Sequence, residues 1–192
     1  MTALRLPDVR LHPSWAEALT EFGDEFPHGS GIWHVPEERR LDLTVAGCAL
    51  WVERLAEIAD VTRELEGDTV HSDYYWITDG EPETVVGFLA LRHSLNDWLL
   101  EEGGHIGYSV RPSRRRQGYA ARALALALDR AAELGLERVL LTCDEDNTGS
   151  RRTIEGGGGV YEDTRNGKRR YWIEVSRDAV TAGRGGAGAA RA

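Results

Sequence analysis

Cysteine is scarce: Cys48 and Cys143 are the only two in 192 residues. Two thiols cannot build a disulfide framework, and neither stands in a CxxC or CxxH spacing that would suggest zinc. One falls in a helical pattern and the other at a strand end, as buried free thiols do. A reactive Cys143 is opposed by the Asp144-Glu145-Asp146 that follows it. Long apolar runs are also missing. The run around Leu124–Leu128 falls far short of the ~20 residues of a membrane span. Met1 to Asp8 contains no apolar core of signal-peptide length, so no membrane partner is expected and the cytoplasm is the expected compartment. Basic charge is in deficit. A formal net charge of −9 and a pI near 5.2 argue against a nucleic-acid binder and are compatible with cationic acceptors such as amines.

What is present suits one α/β domain. The length allows a single core, and the 41% hydrophobic and 29% charged shares are ordinary for a globular chain. We expect a domain over residues 1–178, with a helical part at 14–65, a motif-bearing core at 67–175, and a disordered Gly/Ala/Arg tail over 179–192. A helix is predicted from Ser14, as its cap, to Phe26, and a second from about Thr44 to Leu65, ended by Gly67. Strands are predicted at Tyr74–Ile77, Thr84–Leu91, Gly104–Val110, Arg138–Thr142, Val160–Thr164 and Arg170–Val175. Thr84–Leu91 is too apolar to have a wet face and belongs in the middle of a sheet. Asn166-Gly167 marks a hairpin. The strongest helix is Gln117–Leu134, with an apolar stripe of Ala120, Leu124, Ala127, Leu128, Ala131 and Leu134 closed by Gly135. A short helix is predicted over Thr148–Glu155.

The entry to the long helix carries the chemistry. A helix N-terminus offers free N–H groups and partial positive charge, which together favour an anion. Here it is reached through Arg114-Arg115-Arg116-Gln117-Gly118-Tyr119-Ala120, with Arg111 nearby. Gly118 lacks a Cβ and Ala120 is small, so a diphosphate could approach the backbone. The Walker ending Gly-Lys-Ser/Thr is absent, and the three spaced glycines of a dinucleotide fingerprint are not here. On physics alone, an Arg-rich helix start is as often a solvated cap as a cradle.

The pattern Arg115-x-x-Gly118-x-Ala120 resembles the Arg/Gln-x-x-Gly-x-Gly/Ala signature of GNAT acetyltransferases. The segment Gly104 to Ser113 is similar to that superfamily's fourth strand and the bend after it, and Asn147-x-x-Ser150 to the start of its next helix. Leu91-Arg92-His93-Ser94-Leu95-Asn96 and Gly103 to Tyr108 resemble a bacterial acetyltransferase subgroup. The resemblance implies an α/β GNAT fold: a mixed, mostly antiparallel sheet with a parallel, splayed central pair, flanked by helices. It implies acetyl-CoA as co-substrate, no metal, and N-acetyl transfer to a small-molecule or peptide amine by a monomer or homodimer. The amides of Arg115, Arg116, Gln117, Gly118, Tyr119 and Ala120 would bind the pyrophosphate. Val110 would pair with pantetheine, and Asn147 and Ser150 would hold that arm.

Acetyl transfer needs a neutral amine, hence a base; His105 is the first candidate and Glu102 the second. A hydrogen-bonded structural role for His105 competes with that reading. Relatives often carry a Tyr seven residues after the Asn as general acid, and that position is Ile154. Tyr161 is the substitute candidate, against a plain core or rim role. Asp144-x-Asp146-x-Thr148-Gly149 with Glu155 mimics a calcium loop. It follows a strand and holds Arg151 and Arg152, so calcium is not expected. Trp33, Trp51, Trp76 and Trp98 are candidate walls of an acceptor cleft, with core packing as the alternative. The rival functions are a non-catalytic CoA-binding sensor and, further off, a nucleic-acid adaptor using the arginines.

Overall fold

A computed structural model describes residues 1–175 of the chain. The expected tail over 179–192 and the end of the domain at 178 lie outside them. Seven strands and four main helices follow in the order β1 (Ala3–Arg5), α1 (His12–Phe22), α2 (Val45–Ala59), β2 (Ser72–Asp79), β3 (Thr84–Arg92), β4 (Ile106–Val110), α3 (Tyr119–Glu133), β5 (Arg138–Asp144), α4 (Thr148–Gly156), β6 (Val160–Arg165) and β7 (Lys168–Glu174). They form two antiparallel sheets, of order β1-β2-β3-β4 and β5-β7-β6.

Helices cover both faces of the first sheet. On one side α3 and α4 pack Ala123, Leu124, Ala127, Ala131 and Ile154 against Ile77, Leu89, Leu91, Ile106, Val139 and Leu141. On the other, α1 and α2 bring Trp15, Phe22, Cys48 and Trp51 against Trp76, Val85 and Phe88. This double burial is why every residue of β3 after Thr84 is buried and why its sequence shows no alternation. Trp51 and Trp76 are therefore core residues, 0% and 1% exposed, and not cleft walls.

Local chemistry accounts for the element boundaries. Helix α1 starts two residues before Ser14 with Pro13 in its first turn. Ser14 is not its cap: the hydroxyl donates to the Leu11 carbonyl and accepts from the Val85 N–H, fastening α1 to β3. The helix stops at Gly23, at φ 53°, short of the expected Phe26. Thr44 caps α2 through the Gly47 N–H. That helix ends well before Gly67, because the Asp60 carboxylate captures the N–H and hydroxyl of Thr62 and offers the chain a turn instead. The hairpin at Asn166-Gly167 has both residues at positive φ, 50° and 75°, as a primed turn requires. No described helix is long and apolar enough to cross a membrane.

One expectation needs correction. Strands β4 and β5 form no ladder, so the parallel central pair is absent as a hydrogen-bonded pair. Among the described residues they share one main-chain bond, from the His105 N–H to the Leu140 carbonyl at 2.7 Å. Gly104 permits that stitch, since a Cβ there would lie 2.6 Å from the Leu140 oxygen. Beyond it the two sheets part.

Candidate active site

The gap between β4 and β5 meets the start of α3, and everything about that start is built from backbone. Pro112–Arg114 makes one 3-10 turn, Arg115 is extended, and Arg116 and Gly118 take positive φ of 63° and 79°. This reversal leaves the N–H groups from Arg116 to Ala121 without a protein acceptor, as far as the described residues go. A row of free amides at the positive end of a 15-residue helix is an anion site. Gly118 keeps it open: a Cβ there would stand 2.8 Å from Nη1 of Arg122.

Arg122, which sequence reading did not single out, braces this turn. Its guanidinium donates to the Gln117 carbonyl at 2.9 Å and to Thr2 Oγ1 at 2.7 Å, and lies over the Tyr119 ring. The one available signal was its spacing, one helical turn after Gly118.

The arginines divide into two kinds. Arg111, 9% exposed, pairs with Glu21 of α1, and Glu21 also accepts from the Ser113 N–H. Those contacts, led by the Arg111 hydrogen bond, pull the Glu21 carboxyl down to about 2. Arg115 donates to the Val110 carbonyl at 3.0 Å and pairs with Glu25. Arg111 and Arg115 thus fix the turn to α1. Arg114 and Arg116 are exposed and form no ion pair with any described residue. The remaining motif side chains point elsewhere. Gln117 reaches back to the Ser113 carbonyl, the Tyr119 hydroxyl donates to Asp79 at 3.0 Å, and Ala120 is half-buried.

Strand β4 presents a free main-chain edge to the gap. The Arg92 N–H bonds to His105 and the Arg111 N–H to Val86, so the alternation of an antiparallel pair aims residues 107 and 109 at β3. Tyr108 and Val110 turn their amides outward. On the α3 side of the gap, the Tyr108 hydroxyl lies 2.9 Å from Ser150 Oγ on α4. Burial pushes the phenol up to about 12. The Asn147 side chain caps α4 by accepting from the Ser150 N–H at 2.9 Å.

The expected acid and base residues are not gathered at one point. His105 is 7% exposed, and its Nδ1 accepts the Leu140 N–H at 2.9 Å, the reciprocal of the stitch described above. Burial first, then the charge of Arg92, lowers it to about 4. With Nδ1 occupied, the ring proton sits on Nε2, and neither nitrogen is free to receive another. Glu102, half-buried on the turn Leu99–Gly103, accepts from Asn166 of the β6–β7 hairpin at 3.1 Å. Tyr161 is not brought there. It lies on β6, separated from β5 by β7, and bonds to Thr164 beside a surface concavity of about 460 Å³. Ile154 is fully buried under Gly159, so no hydroxyl occupies that position either. Asp144 ends a strand and pairs with Lys168, which removes the calcium-loop geometry.

On the opposite face, the loop from Pro27 to Pro36 lies directly on β3 and β4. A Cβ on Gly29 would collide with the Gly107 carbonyl, and the Ser109 hydroxyl donates to the His28 carbonyl at 2.7 Å. Next to this loop is a cavity of about 320 Å³ walled by Trp33, His34, Tyr74, Arg92, Asn96 and Trp98.

The fold has parallels among solved structures. RimJ of Mycobacterium smegmatis, solved with CoA-disulfide, superposes with a TM-score of 0.65 at 21% identity over 95% of this chain and 90% of that one. The ribosomal-protein-S5-alanine acetyltransferase of Vibrio fischeri gives 0.63 at 16% identity, over 91% and 93%. The Microcin C7 self-immunity acetyltransferase MccE, solved with acetyl-CoA and AMP, gives 0.61 at 13% identity, over 91% and 92%. At these identities the likeness is one of fold. No curated protein matches the sequence significantly. The model of the acetyltransferase (GNAT) domain matches residues 27–160, well over half of the sequence. The chain belongs to the GNAT acetyltransferase family, whose co-substrate is acetyl-CoA.

Proposed function

We propose that the protein moves an acetyl group from acetyl-CoA directly to a primary amine. The observation that carries this is the row of free amides from Arg116 to Ala121 at the mouth of the β4–β5 gap. Those amides suit the linked phosphates of the donor, and Arg114 and Arg116 supply unpaired positive charge beside them. The outward main chain of Tyr108 and Val110 suits the amides of the pantetheine arm, which would lie along β4 like a further strand and run past Asn147 and Ser150. The donor supplies an activated acyl group; every other requirement falls on the chain's own residues.

Glu102 is the base we assign, since its carboxylate is half-buried on the turn that leads into β4 with Asn166 as a neutral partner, while Nδ1 of His105 is occupied by the Leu140 N–H. It removes, through water, the proton that an ammonium of pKa near ~10 must lose before its nitrogen can attack. The N–H of Val110 faces the acyl oxygen as the carbon–sulfur bond breaks. The Tyr108 hydroxyl, in contact with Ser150 on α4, donates a hydrogen bond to the departing thiolate, the stabilisation that Ile154 cannot provide.

Turnover with an amine panel and detection of free thiol tests the reading. Acceptor-dependent thiol release, lowered on the order of 100-fold in Glu102→Gln, is expected. CoA binding with no release for any amine would favour the rival reading, a CoA sensor of the same fold.

A further inference from the structure

Arg92, at the end of β3, is the charged side chain in this molecule with no evident reason to be where it is. It is 5% exposed, yet no carboxylate among the described residues pairs with it. The contrast with its buried peers is plain. Arg111 has Glu21, and Arg170, 1% exposed, has Glu162 and Asp163. Only Nη1 of Arg92 is held, by the carbonyls of Gly103 at 3.3 Å and Gly104 at 3.1 Å. Neither Nε nor Nη2 donates to any described residue, and the side chain lines the 320 Å³ cavity. A buried cation without a counter-charge is costly, and folds keep one where something anionic completes it.

The rest of the cavity is shaped for an organic body. Trp33 and Trp98 stand at its mouth with 38% and 55% of their surface exposed, and Trp33 is stacked on Phe26 with ring centroids 5.2 Å apart. Gly31, at φ 74°, brings the following residues against Tyr74, and the His34 imidazole bonds the Tyr74 hydroxyl at 2.8 Å. Burial, then the Arg92 charge, lowers His34 to about 4, so it adds no second cation. A guanidinium presenting its free Nε–Nη2 edge matches a planar carboxylate. A phosphate, with nearly two charges, would call for more than one.

The Arg92 guanidinium also stands close to β4. Nη1 of Arg92 lies 3.5 Å from where a Cβ of Gly107 would be, one residue from Tyr108 on the outward edge of β4. Since a strand advances about 3.3 Å per residue, only a short molecule separates the anion site from the acyl-bearing edge.

Resting on the acetyl-transfer reading above, we propose that the acceptor is a small amino acid-like molecule whose carboxylate is bound by Arg92 and whose apolar side group lies between Trp33 and Trp98. A polyamine and an internal peptide amine are both disfavoured, lacking that anion.

Matched acceptors test this: phenylalanine, phenylalaninamide and phenethylamine, each assayed for thiol release, with CoA affinity measured by calorimetry in parallel. The acid should exceed both neutral analogues on the order of 10- to 100-fold in kcat/KM. Arg92→Met should erase that preference while CoA affinity stays unchanged. CoA binding together with equal or better turnover of the neutral amines would overturn the anion subsite and leave the transferase standing. Failure of CoA to bind would sink the reading beneath it. Should the variant fold poorly, hydrocinnamate, which has the carboxylate and no amine, provides a second measurement on the intact protein. Competitive inhibition with quenching of tryptophan fluorescence supports the subsite, and no inhibition at saturating concentration contradicts it.

Discussion

The start of α3 and the cavity beside Arg92 are built on different plans. On the donor side, the cradle is main chain: N–H groups from Arg116 to Ala121, turned by two positive-φ residues, with Gly118 keeping a side chain out. At the cavity we assign to the acceptor, side chains from separate segments converge, with Trp33 and His34 from the loop after α1, Tyr74 from β2, Arg92 from β3 and Trp98 from the turn before β4. A site made of backbone needs few residue identities, and those few must be adjacent. A site made of side chains can draw on any residue that the fold happens to gather. The first kind can serve one shared donor, and the second can be re-shaped for each acceptor.

The largest effect should come from damaging the main-chain side. Gly118→Glu sets a carboxylate and a Cβ into the amide row at a positive φ, and CoA affinity should fall by on the order of 100-fold or more. Calorimetry reads this directly, with thermal unfolding to confirm that the variant is folded. Unchanged affinity would refute the cradle.

A smaller effect is expected where the two sides meet. Tyr108→Phe keeps the ring and removes the hydroxyl that contacts Ser150. We expect kcat to drop by roughly 10²-fold, the cost of removing one hydrogen-bond donor to developing charge, with CoA affinity nearly constant. A drop in affinity with kcat preserved would make the hydroxyl a binding group instead.

The last effect is read by pH. At the stitch between the two sheets, His105 titrates at about 4 in the native state, against 6.5 when unfolded. The unfolded chain takes up the proton first, so stability falls as pH drops from 6.5 to 4, by at most about 3 kcal/mol for this group. His34, also near 4, acts in the same direction. On the donor side, Glu21 sits near 2 against 4.5, so its contribution is intact above 4.5 and is lost as pH falls towards 2. Urea midpoints at pH 7 and 4.5 should therefore differ less in His105→Gln than in the parent chain. Equal differences would mean that His105 is not held neutral.

The same contrast explains what the sequence could reveal. Strand β3, the Asn166-Gly167 hairpin, the Asn147 cap and the α3 entry were legible because local rules govern them: apolar runs, positive φ, capping and a helix terminus. The roles of Glu21, Glu25 and Arg92 were not. Glu21 lies 90 residues from Arg111, and nothing in its neighbourhood distinguishes it from any exposed helical Glu. Arg92 was read only as part of a segment resembling relatives, because a buried, unpaired cation is a tertiary fact. His105 was singled out for its chemistry, whereas the bond from the Leu140 N–H gives its Nδ1 a structural task. Tyr161 was misplaced because sequence order does not disclose that β7 inserts between β5 and β6.

The most direct test of the central claim is a crystal structure of the protein with CoA. The account predicts pyrophosphate oxygens within about 3 Å of main-chain nitrogens between Arg116 and Ala121, and the pantetheine arm alongside Tyr108 and Val110. Phosphates bound to side chains alone, away from the start of α3, would contradict it.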